Sequence, residues 1–496
     1  MATQLETLPL VIDGQPTTAL ESNKFAVYSL ERQKDVYFAE SADVDAANRA
    51  AGAALKAFKS WKRTNGVERR KLLLRYAQVL RSHEAELVAA QRAETGMSEM
   101  WAKKNVELSS NLIEETAACI TRLQGEIPQT QTPGGLALAL TVPVGPVLAI
   151  APWNSPVILA GRAIATPVAA GCTVVLKASE LSPKTHHLLV QYFEEAGLPK
   201  GVVNILQTRR EDAAAVTEAL IAHPAIRKIE FIGSAGVGRI IGQLGGKYLK
   251  PVLMELGGKG PVIVLDDANL EDAAQKSIAG GEFLTTLSDR VKHDTDDLAF
   301  LHHGQLCFSS EKVIVLKSVA DKFQEILKKT AANFNAGNAV TARMMDQSLQ
   351  KLKDAQSKGA DFLVGGPEQA SISALKPTIL TGVTSAMDIS DEEAFGPSFS
   401  LYIAENDEEA IEIANATKYG LNAAVHSTRM EHALAVAQEL ETGQVHVNSM
   451  TAHDEPTLPV GGSKGSGWGR NNALWGLKEF TEIKTITLSM GGNSFL

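Results

Sequence analysis

Short apolar runs alternate with amphipathic segments from residue 147 onward. The runs have the length of buried strands: VLAIAP (147–152), TVVLKAS (173–179), VVNILQ (202–207) and IRKIEFIG (226–233). The alternation continues in a second stretch, from about residue 251 to 447, which includes VIVLDD (262–267) and KVIVLKS (312–318). Because strands joined through helices lie parallel in one sheet, this pattern predicts an α/β fold in which helices cover parallel sheets.

Charge and cysteine content exclude several classes of protein. The chain has 496 residues, with 48 Lys and Arg against 57 Asp and Glu, and a net charge of −9. Nucleic acids and anionic membranes attract basic surfaces, so neither is predicted as a partner. The three cysteines, at 119, 172 and 307, are too few for a disulfide framework and indicate a reducing, cytoplasmic location. The most apolar region, 142–176, contains several prolines, so no membrane span is predicted.

Three polar residues are candidates for catalysis. A lone cysteine is most often a buried apolar residue, but Cys307 follows His302 and His303, and positive neighbours lower a thiol pKa. Glu255 ends an apolar run before Gly-Gly, and it is either a solvated strand end or a general base on a rigid strand. Asn154, between the prolines of APWNSP, is either a turn former or an amide donor to a developing oxyanion.

Two further turns have features of a nucleotide site. FIGSAGVG places Gly233, Ser234 and Gly238 between a strand and a helix, where N-terminal N–H groups can hold a pyrophosphate. It lacks the GxGxxG spacing, and a glycine-rich turn alone is weak evidence. Lys177 and Glu180, in VVLKASE, follow a strand, and such a charged pair is either loop surface or a contact to ribose hydroxyls.

These motifs follow one another along the whole chain. Between residues 151 and 470 the order is APWN, LKASE, FIGSAGVG, MELGGK, HGQLC, EEAFGP and GGSKGSGWGR. In this order the chain resembles the aldehyde dehydrogenase superfamily. The segments NILQTRREDA and VNSMTAHDEPTLPVGG look most similar to the branch that oxidises salicylaldehyde, vanillin and related aromatic aldehydes.

The resemblance implies roles for individual residues. Cys307 would be the nucleophile, Glu255 the general base and Asn154 the side-chain donor to the oxyanion, with no metal. The positions that would contact the cofactor are Trp153, Lys177, Glu180, Gly233, Ser234, Gly238, Glu393 and Phe395. The implied reaction oxidises a hydrophobic or aromatic aldehyde to the carboxylic acid through a thiohemiacetal and a thioester. NAD is expected rather than NADP, because the carboxylate of Glu180 would repel a 2′-phosphate.

The same resemblance implies three structural parts. These are a Rossmann-like NAD-binding domain (1–124 and 146–250), an α/β catalytic domain (251–447) and a small β bridging arm (125–145 and 471–496). The arm would join chains into a homodimer or homotetramer. Apart from other copies of the chain, the expected partner is a small-molecule aldehyde.

One stretch departs from the family pattern. The spacing from Glu255 to Cys307 is about eighteen residues too long, and removal of residues 281–298 restores a family-like SIAGAFLHHGQLC. A surface insertion is one explanation, since long loops add little closure entropy. We hypothesise instead a translated intron, because codons for 281–283, 295–296 and 298–299 can contain donor-, branch-point- and acceptor-like sequences. Transcript reads across codons 275–305 test this hypothesis.

Two alternative functions follow from these observations. An inactive homologue with a structural or binding role is supported by the 281–298 stretch alone, and retention of all three catalytic residues opposes it. A CoA-acylating relative would use the same thioester. Glu255 argues against that activity, because acyl transfer to CoA needs no base to activate water.

Overall fold

Strands supply the framework of the chain. The computed structural model describes residues 5–17, 23–131, 133–279, 301–332, 334 and 336–488. In chain order the strands are β1 (Thr7–Leu8), β2 (Leu10–Ile12), β3 (Gln15–Thr17), β4 (Lys24–Ser29), β5 (Lys34–Glu40), β6 (Leu136–Pro143), β7 (Val147–Ile150), β8 (Val174–Lys177), β9 (Val203–Leu206), β10 (Lys228–Ile232), β11 (Val252–Glu255), β12 (Gly260–Val264), β13 (Ser310–Leu316), β14 (Asp361–Val364), β15 (Gln369–Ser371), β16 (Ala374–Leu375), β17 (Thr378–Thr381), β18 (Ser398–Ala404), β19 (Ala423–His426), β20 (Val445–Val447), β21 (Gly467–Trp468) and β22 (Thr481–Leu488).

Helices connect many of the strands in the two large sheets. Several begin at a side-chain cap: Asp43, Asn65 and Ser98 each accept an N–H from the first turn of the helix that follows. The helices are α1 (Val44–Trp61), α2 (Gly66–Ser82), α3 (Glu84–Thr95), α4 (Glu99–Cys119), α5 (Pro156–Ala170), α6 (Pro183–Glu195), α7 (Ala213–Ala222), α8 (Ala235–Lys247), α9 (Leu270–Ala279), α10 (Lys317–Ala331), α11 (Ala342–Ser357), α12 (Asp407–Asn415), α13 (Met430–Gln438) and α14 (Ala473–Glu479).

The larger sheet has eight strands in the order β21-β11-β10-β7-β8-β9-β2-β3. Its centre, from β11 to β9, is parallel, and the pairings at both edges are antiparallel. One face packs against α2, α4, α5 and α6, and the other packs against α1, α7 and α8. The parallel sheet predicted from the alternation between residues 147 and 233 is therefore confirmed.

The second sheet has seven strands in the order β14-β17-β18-β13-β12-β19-β20. All its pairings are parallel except that of β14 with β17. Helices α9 and α10 cover one face, and α12 and α13 cover the other. The α/β fold class predicted for the chain is confirmed by both sheets.

Strands β6 and β22 form a separate antiparallel pair, in which Pro143 lies opposite Thr481 and Leu136 lies opposite Leu488. The domain limits, and the role of these strands as a bridging arm, stay predictions. The 281–298 stretch lies outside the described residues. Among the helices of the described part of the chain, none combines the length and the apolar character that crossing a membrane requires.

Candidate active site

Four of the predicted residues lie along one edge of the eight-stranded sheet. Strands β7, β8, β10 and β11 are parallel, so their carboxyl ends meet at that edge. Asn154 follows β7, Lys177 ends β8, Gly233 follows β10 and Glu255 ends β11. In open α/β sheets this edge is where ligands bind.

A cavity of about 260 Å³ opens at this edge. Asn154, Glu255 and Cys307 all line it, so the structure brings the three predicted catalytic residues together. Apolar side chains form much of the remaining wall: Trp101, Ile158, Leu159, Leu301, Leu306 and Phe308. An apolar cavity with a few polar groups is the usual form of a small-molecule site.

Cys307 lies in the turn before β13 and is half-buried. Burial raises the pKa of its thiol well above the usual value, the charges of Glu255 and Glu393 add to the rise, and other groups oppose it. His302 and His303 do not supply the positive charge suggested by the sequence, because burial lowers the pKa of each to about 3. Both imidazoles are neutral near pH 7, so the resting thiol keeps its proton until a base removes it.

Glu255 is only 3% exposed, and few groups hold its carboxylate. Asn471 Nδ2 donates to Oε2 at 3.3 Å, and Arg162 Nη1 lies 3.6 Å from the same oxygen. Burial raises the pKa of Glu255, Asp454 adds to the rise, and Arg162 and Asn471 oppose it. A buried carboxylate with a raised pKa that lines a cavity has the properties of a general base.

Asn154 is buried, and its Nδ2 donates to the backbone oxygen of Gln305 at 3.0 Å. This bond joins the turn after β7 to the segment that carries Cys307. An amide nitrogen has two hydrogens, so the same side chain can hold this segment and also donate to an oxyanion.

The loop that carries Glu393 and Phe395 is anchored by a buried ion pair. Lys259 Nζ lies 2.7 Å from Glu311 Oε2, and both side chains are buried. Glu311 also accepts backbone N–H groups of Ala394 and Phe395, at 2.9 and 3.1 Å to Oε1. The loop therefore has a fixed position beside the segment that carries Cys307.

Within this loop, two predicted cofactor residues contact other parts of the site. The N–H of Gly258 donates to Glu393 Oε1 at 3.2 Å. Burial raises the pKa of Glu393 to about 8, and Glu311 adds to that rise. The ring of Phe395 meets Trp153 edge-on, with 6.0 Å between ring centroids. Trp153, Glu393 and Phe395 are thus placed around the turn after β7 and the Gly-Gly turn after β11.

The other predicted cofactor residues lie at the ends of β8 and β10. Ser234 caps α8 and is exposed, so the first turn of this helix is open to a ligand anion. Lys177 is buried, which lowers its pKa, and the nearby charge of Glu180 opposes that change. Gly238 has a packing role rather than an exposed position, because a Cβ there would lie 2.6 Å from the Leu256 side chain. Its lack of a side chain lets α8 pack against the end of β11.

The donor set at this edge suits a dinucleotide. An exposed helix N-terminus can bind a pyrophosphate, and a Lys and a Glu at the end of the next strand but one can bind ribose hydroxyls. The carboxylate of Glu393 can accept a further hydroxyl hydrogen. The residues present therefore fit a nicotinamide cofactor.

Sequence reasoning missed a buried cation in the cavity. Arg162, on α5, is 3% exposed and pairs with Asp454 at 2.5 Å in addition to its approach to Glu255. Asn472 Nδ2 donates to the second oxygen of Asp454 at 2.9 Å. The sequence contains a signal for this buried cation, because Arg162 is the single charged residue in the mostly apolar helix PVILAGRAIATPVAA. The Lys259–Glu311 pair was also missed, and its two residues lie in separate motifs.

The chain matches one family profile and relatives that are named for two aromatic aldehydes. The profile described as "Aldehyde dehydrogenase family" matches residues 18–286 and 288–486. The chain belongs to the aldehyde dehydrogenase family. A vanillin dehydrogenase of Pseudomonas fluorescens is 40% identical over 494 residues, which is 98% of each chain. A salicylaldehyde dehydrogenase of Pseudomonas sp. strain C18 is 39% identical over 459 residues, 90% of this chain and 91% of that one.

Solved structures of other aldehyde dehydrogenases have the same fold. Salicylaldehyde dehydrogenase from Pseudomonas putida G7, complexed with salicylaldehyde, matches with a TM-score of 0.91 and 36% identity over 99% of each chain. Betaine aldehyde dehydrogenase from Staphylococcus aureus, in complex with NAD+, matches with a TM-score of 0.89 and 27% identity over 97% of this chain and 94% of that one. The chain is an oxidoreductase of this family, and a nicotinamide cofactor is supported.

Proposed function

We propose that this aldehyde dehydrogenase oxidises aromatic aldehydes to carboxylic acids with NAD, through a thioester on Cys307. The observation that carries the proposal is the cavity in which Asn154, Glu255 and Cys307 meet beneath an apolar wall. An aromatic ring gains by burial against Trp101, Phe308 and neighbouring aliphatic side chains. The relatives named for vanillin and salicylaldehyde support the same class of substrate.

The first chemical step joins Cys307 to the aldehyde carbon. Because the resting thiol is protonated, Glu255 accepts its proton, and the sulfur then attacks the carbonyl. Asn154 and a backbone N–H stabilise the oxyanion of the thiohemiacetal. A donor of this kind contributes about 3–4 kcal/mol. A bound nicotinamide ring would accept the hydride that leaves the substrate carbon.

The second step is hydrolysis of the thioester. Glu255 accepts a proton from a water, whose oxygen attacks the acyl carbon, and the carbon–sulfur bond then breaks. The product is the carboxylic acid, and Cys307 leaves as a thiolate, which takes up a proton to return to the resting thiol. This need for a base explains why a raised pKa at Glu255 is useful, and it favours hydrolysis over transfer to CoA.

Cofactor choice depends on Glu180. Its carboxylate lies close enough to Lys177 to affect the pKa of that ammonium. A hydroxyl of NAD can donate to a carboxylate, whereas the 2′-phosphate of NADP would be repelled. We therefore propose NAD as the cofactor. We also propose a cytoplasmic homodimer or homotetramer joined through the paired strands β6 and β22.

NADH formation tests the reaction. Two purified chains, the full sequence and one lacking residues 281–298, are given NAD with benzaldehyde-type substrates, and absorbance at the NADH band is followed. Turnover by the full chain means that the 281–298 stretch is tolerated. Turnover by the shortened chain alone assigns the function to that form and supports the translated intron.

A variant at the nucleophile separates an enzyme from a scaffold. Cys307→Ala removes the sulfur that forms the thioester, so NADH formation is expected to stop almost completely in whichever chain is active. Equal rates for Cys307→Ala and the parent chain would rule out the proposed mechanism. Failure of both parent chains with every aromatic aldehyde tried would rule out the proposed substrate class.

A further inference from the structure

A row of charged side chains extends along one face of the eight-stranded sheet behind Glu255. Ile232 on β10 lies opposite Glu255 on β11. Because alternate residues of a strand share a face, Glu230 and Lys228 lie on the same side of the sheet as Glu255. The row therefore begins at the base and continues along β10, away from the carboxyl edge.

Glu230 has an environment that packing alone does not explain. Its side chain is 0% exposed, and neither carboxylate oxygen has a hydrogen-bond partner among the described residues. Buried polar groups are normally paired, because an unpaired one destabilises the fold. None of the roles assigned above uses Glu230.

Charged groups on four elements, α5, β10, β11 and α14, lie close enough to Glu230 to affect its pKa. Burial is the largest influence and raises its pKa to about 8. Arg162 on α5 and Lys228 on the same strand oppose the rise, whereas Glu255 on β11 and Glu479 on α14 add to it. A carboxyl with this pKa can take up and release protons near neutral pH.

The row reaches solvent at Glu479. Lys228 Nζ lies 2.7 Å from the Glu479 carboxylate and 2.6 Å from its backbone oxygen. The Glu479 side chain is 27% exposed, and that of Lys228 is 9% exposed. The row therefore extends from a buried base to a residue at the surface, and Glu230, Lys228 and Glu479 do not line the cavity.

We propose that Glu230, together with Lys228 and Glu479, forms an exit path for the protons that Glu255 accepts during turnover. The proposal rests on the proposed function, in which Glu255 accepts a proton from the thiol and later from the hydrolytic water. Each proton must leave before Glu255 can act again. The acyl group would fill the cavity at that stage, so an exit along the sheet face keeps the base available.

The transfer moves protons only. Protonated Glu255 gives its proton, directly or through a water, to one oxygen of Glu230. Glu230 releases a proton from its other oxygen to the Glu479 carboxylate, which Lys228 holds in place, and Glu479 passes it to solvent. Every carboxyl returns to its starting state. Glu230 is not among the residues that line the cavity, so it is a positioning residue that acts through Glu255.

The test introduces Glu230→Gln into whichever of the two chains is active and compares it with that parent chain. Both are mixed rapidly with NAD and benzaldehyde. The initial NADH burst reports thioester formation, and the later steady rate reports hydrolysis. We expect an unchanged burst amplitude and a steady rate about tenfold lower, since one proton-transfer group is lost. We also expect D2O to slow the variant more than the parent, which a purely structural role would not produce.

Two further variants complete the design. Glu479→Gln removes the solvent end of the path, where folding is least at risk, and should show the same increase in the D2O effect. Glu94→Gln is the matched control, because Glu94 is also buried, with a pKa raised by burial to about 8, but it binds Thr185 and lies outside the row. At saturating NAD it should leave the D2O effect unchanged.

The outcomes are distinguishable. A steady rate for Glu230→Gln within twofold of the parent, or a slower rate with an unchanged D2O effect, overturns the exit path while leaving the proposed function intact. If Glu230→Gln does not fold, an unchanged D2O effect in Glu479→Gln overturns it. If the parent chain forms no NADH from any aldehyde, the proposed function and the exit path fail together.

Discussion

Two buried glutamates lie near the segment that carries Cys307, and their surroundings differ. Glu311 pairs with Lys259 at 2.7 Å, and its carboxylate also accepts two backbone N–H groups. Glu255 has one hydrogen bond of 3.3 Å, from Asn471, and a guanidinium at 3.6 Å. A carboxylate with many strong donors is held in one position and fixes structure. A carboxylate with few donors can gain and lose a proton, and is suited to catalysis.

The largest effect is expected from Glu255→Gln. Loss of a general base lowers turnover by about 10²–10⁴-fold. The NADH burst should also slow, because the same carboxylate takes the proton of Cys307. Raising the pH should speed the burst, since a larger fraction of the thiol then ionises unaided, but it should not restore the steady rate. Rapid mixing across a pH series measures both, and steady turnover within tenfold of the parent would contradict the role of Glu255.

Glu311→Gln should affect stability more than chemistry. The substitution leaves the buried ammonium of Lys259 without its anion, and breaking a buried pair costs about 3–5 kcal/mol. We expect a lower urea midpoint and a higher KM for NAD, because the loop that carries Glu393 loses its anchor. The pH dependence of kcat should not move. A shifted pH profile with unchanged stability would reverse the roles assigned to the two glutamates.

The sequence predicted the α/β fold from its alternating apolar runs and amphipathic segments, whereas the meeting of Asn154, Glu255 and Cys307 was implied by the family resemblance. In the structure, the parallel strands β7, β10 and β11 end at a common edge, which brings Asn154 and Glu255 to the same side of the fold. The surroundings of these residues were not predictable in the same way. Arg162, Asp454 and Asn471 reach Glu255 from distant parts of the chain. A single sequence gives no indication that these three side chains converge.

The histidines before Cys307 show a second limit of sequence reasoning. His302 and His303 were interpreted as neighbours that could lower the pKa of the thiol. Burial determines their charge instead, and it leaves both neutral. Burial is a property of the packed structure, so residue type and spacing alone could not reveal it.

Asp454→Asn should shift the pH profile in a defined direction. The charge of Asp454 raises the pKa of Glu255, so its removal lowers that pKa. The acid limb of kcat should therefore move to lower pH. Asparagine can still accept a hydrogen bond from Arg162, which limits structural change. An unchanged pH dependence of kcat would contradict this prediction, and it would mean that Arg162 cancels the effect of the Asp454 charge on the pKa of Glu255.

Asn471→Ala should give the smallest shift, in the opposite direction. The Asn471 amide donates to the Glu255 carboxylate and favours its charged form, so removing it raises the pKa of Glu255. Because the bond is long, we expect a loss of about 0.5–1 kcal/mol, which moves the acid limb of kcat to higher pH by less than one unit. Asn471→Asp is the matched comparison, since it adds a negative charge at the same position and should move the limb further in that direction. A fall of the limb to lower pH in Asn471→Ala would show that Asn471 holds Glu255 in its protonated form. The contrast with Glu311 would then depend on Arg162 alone.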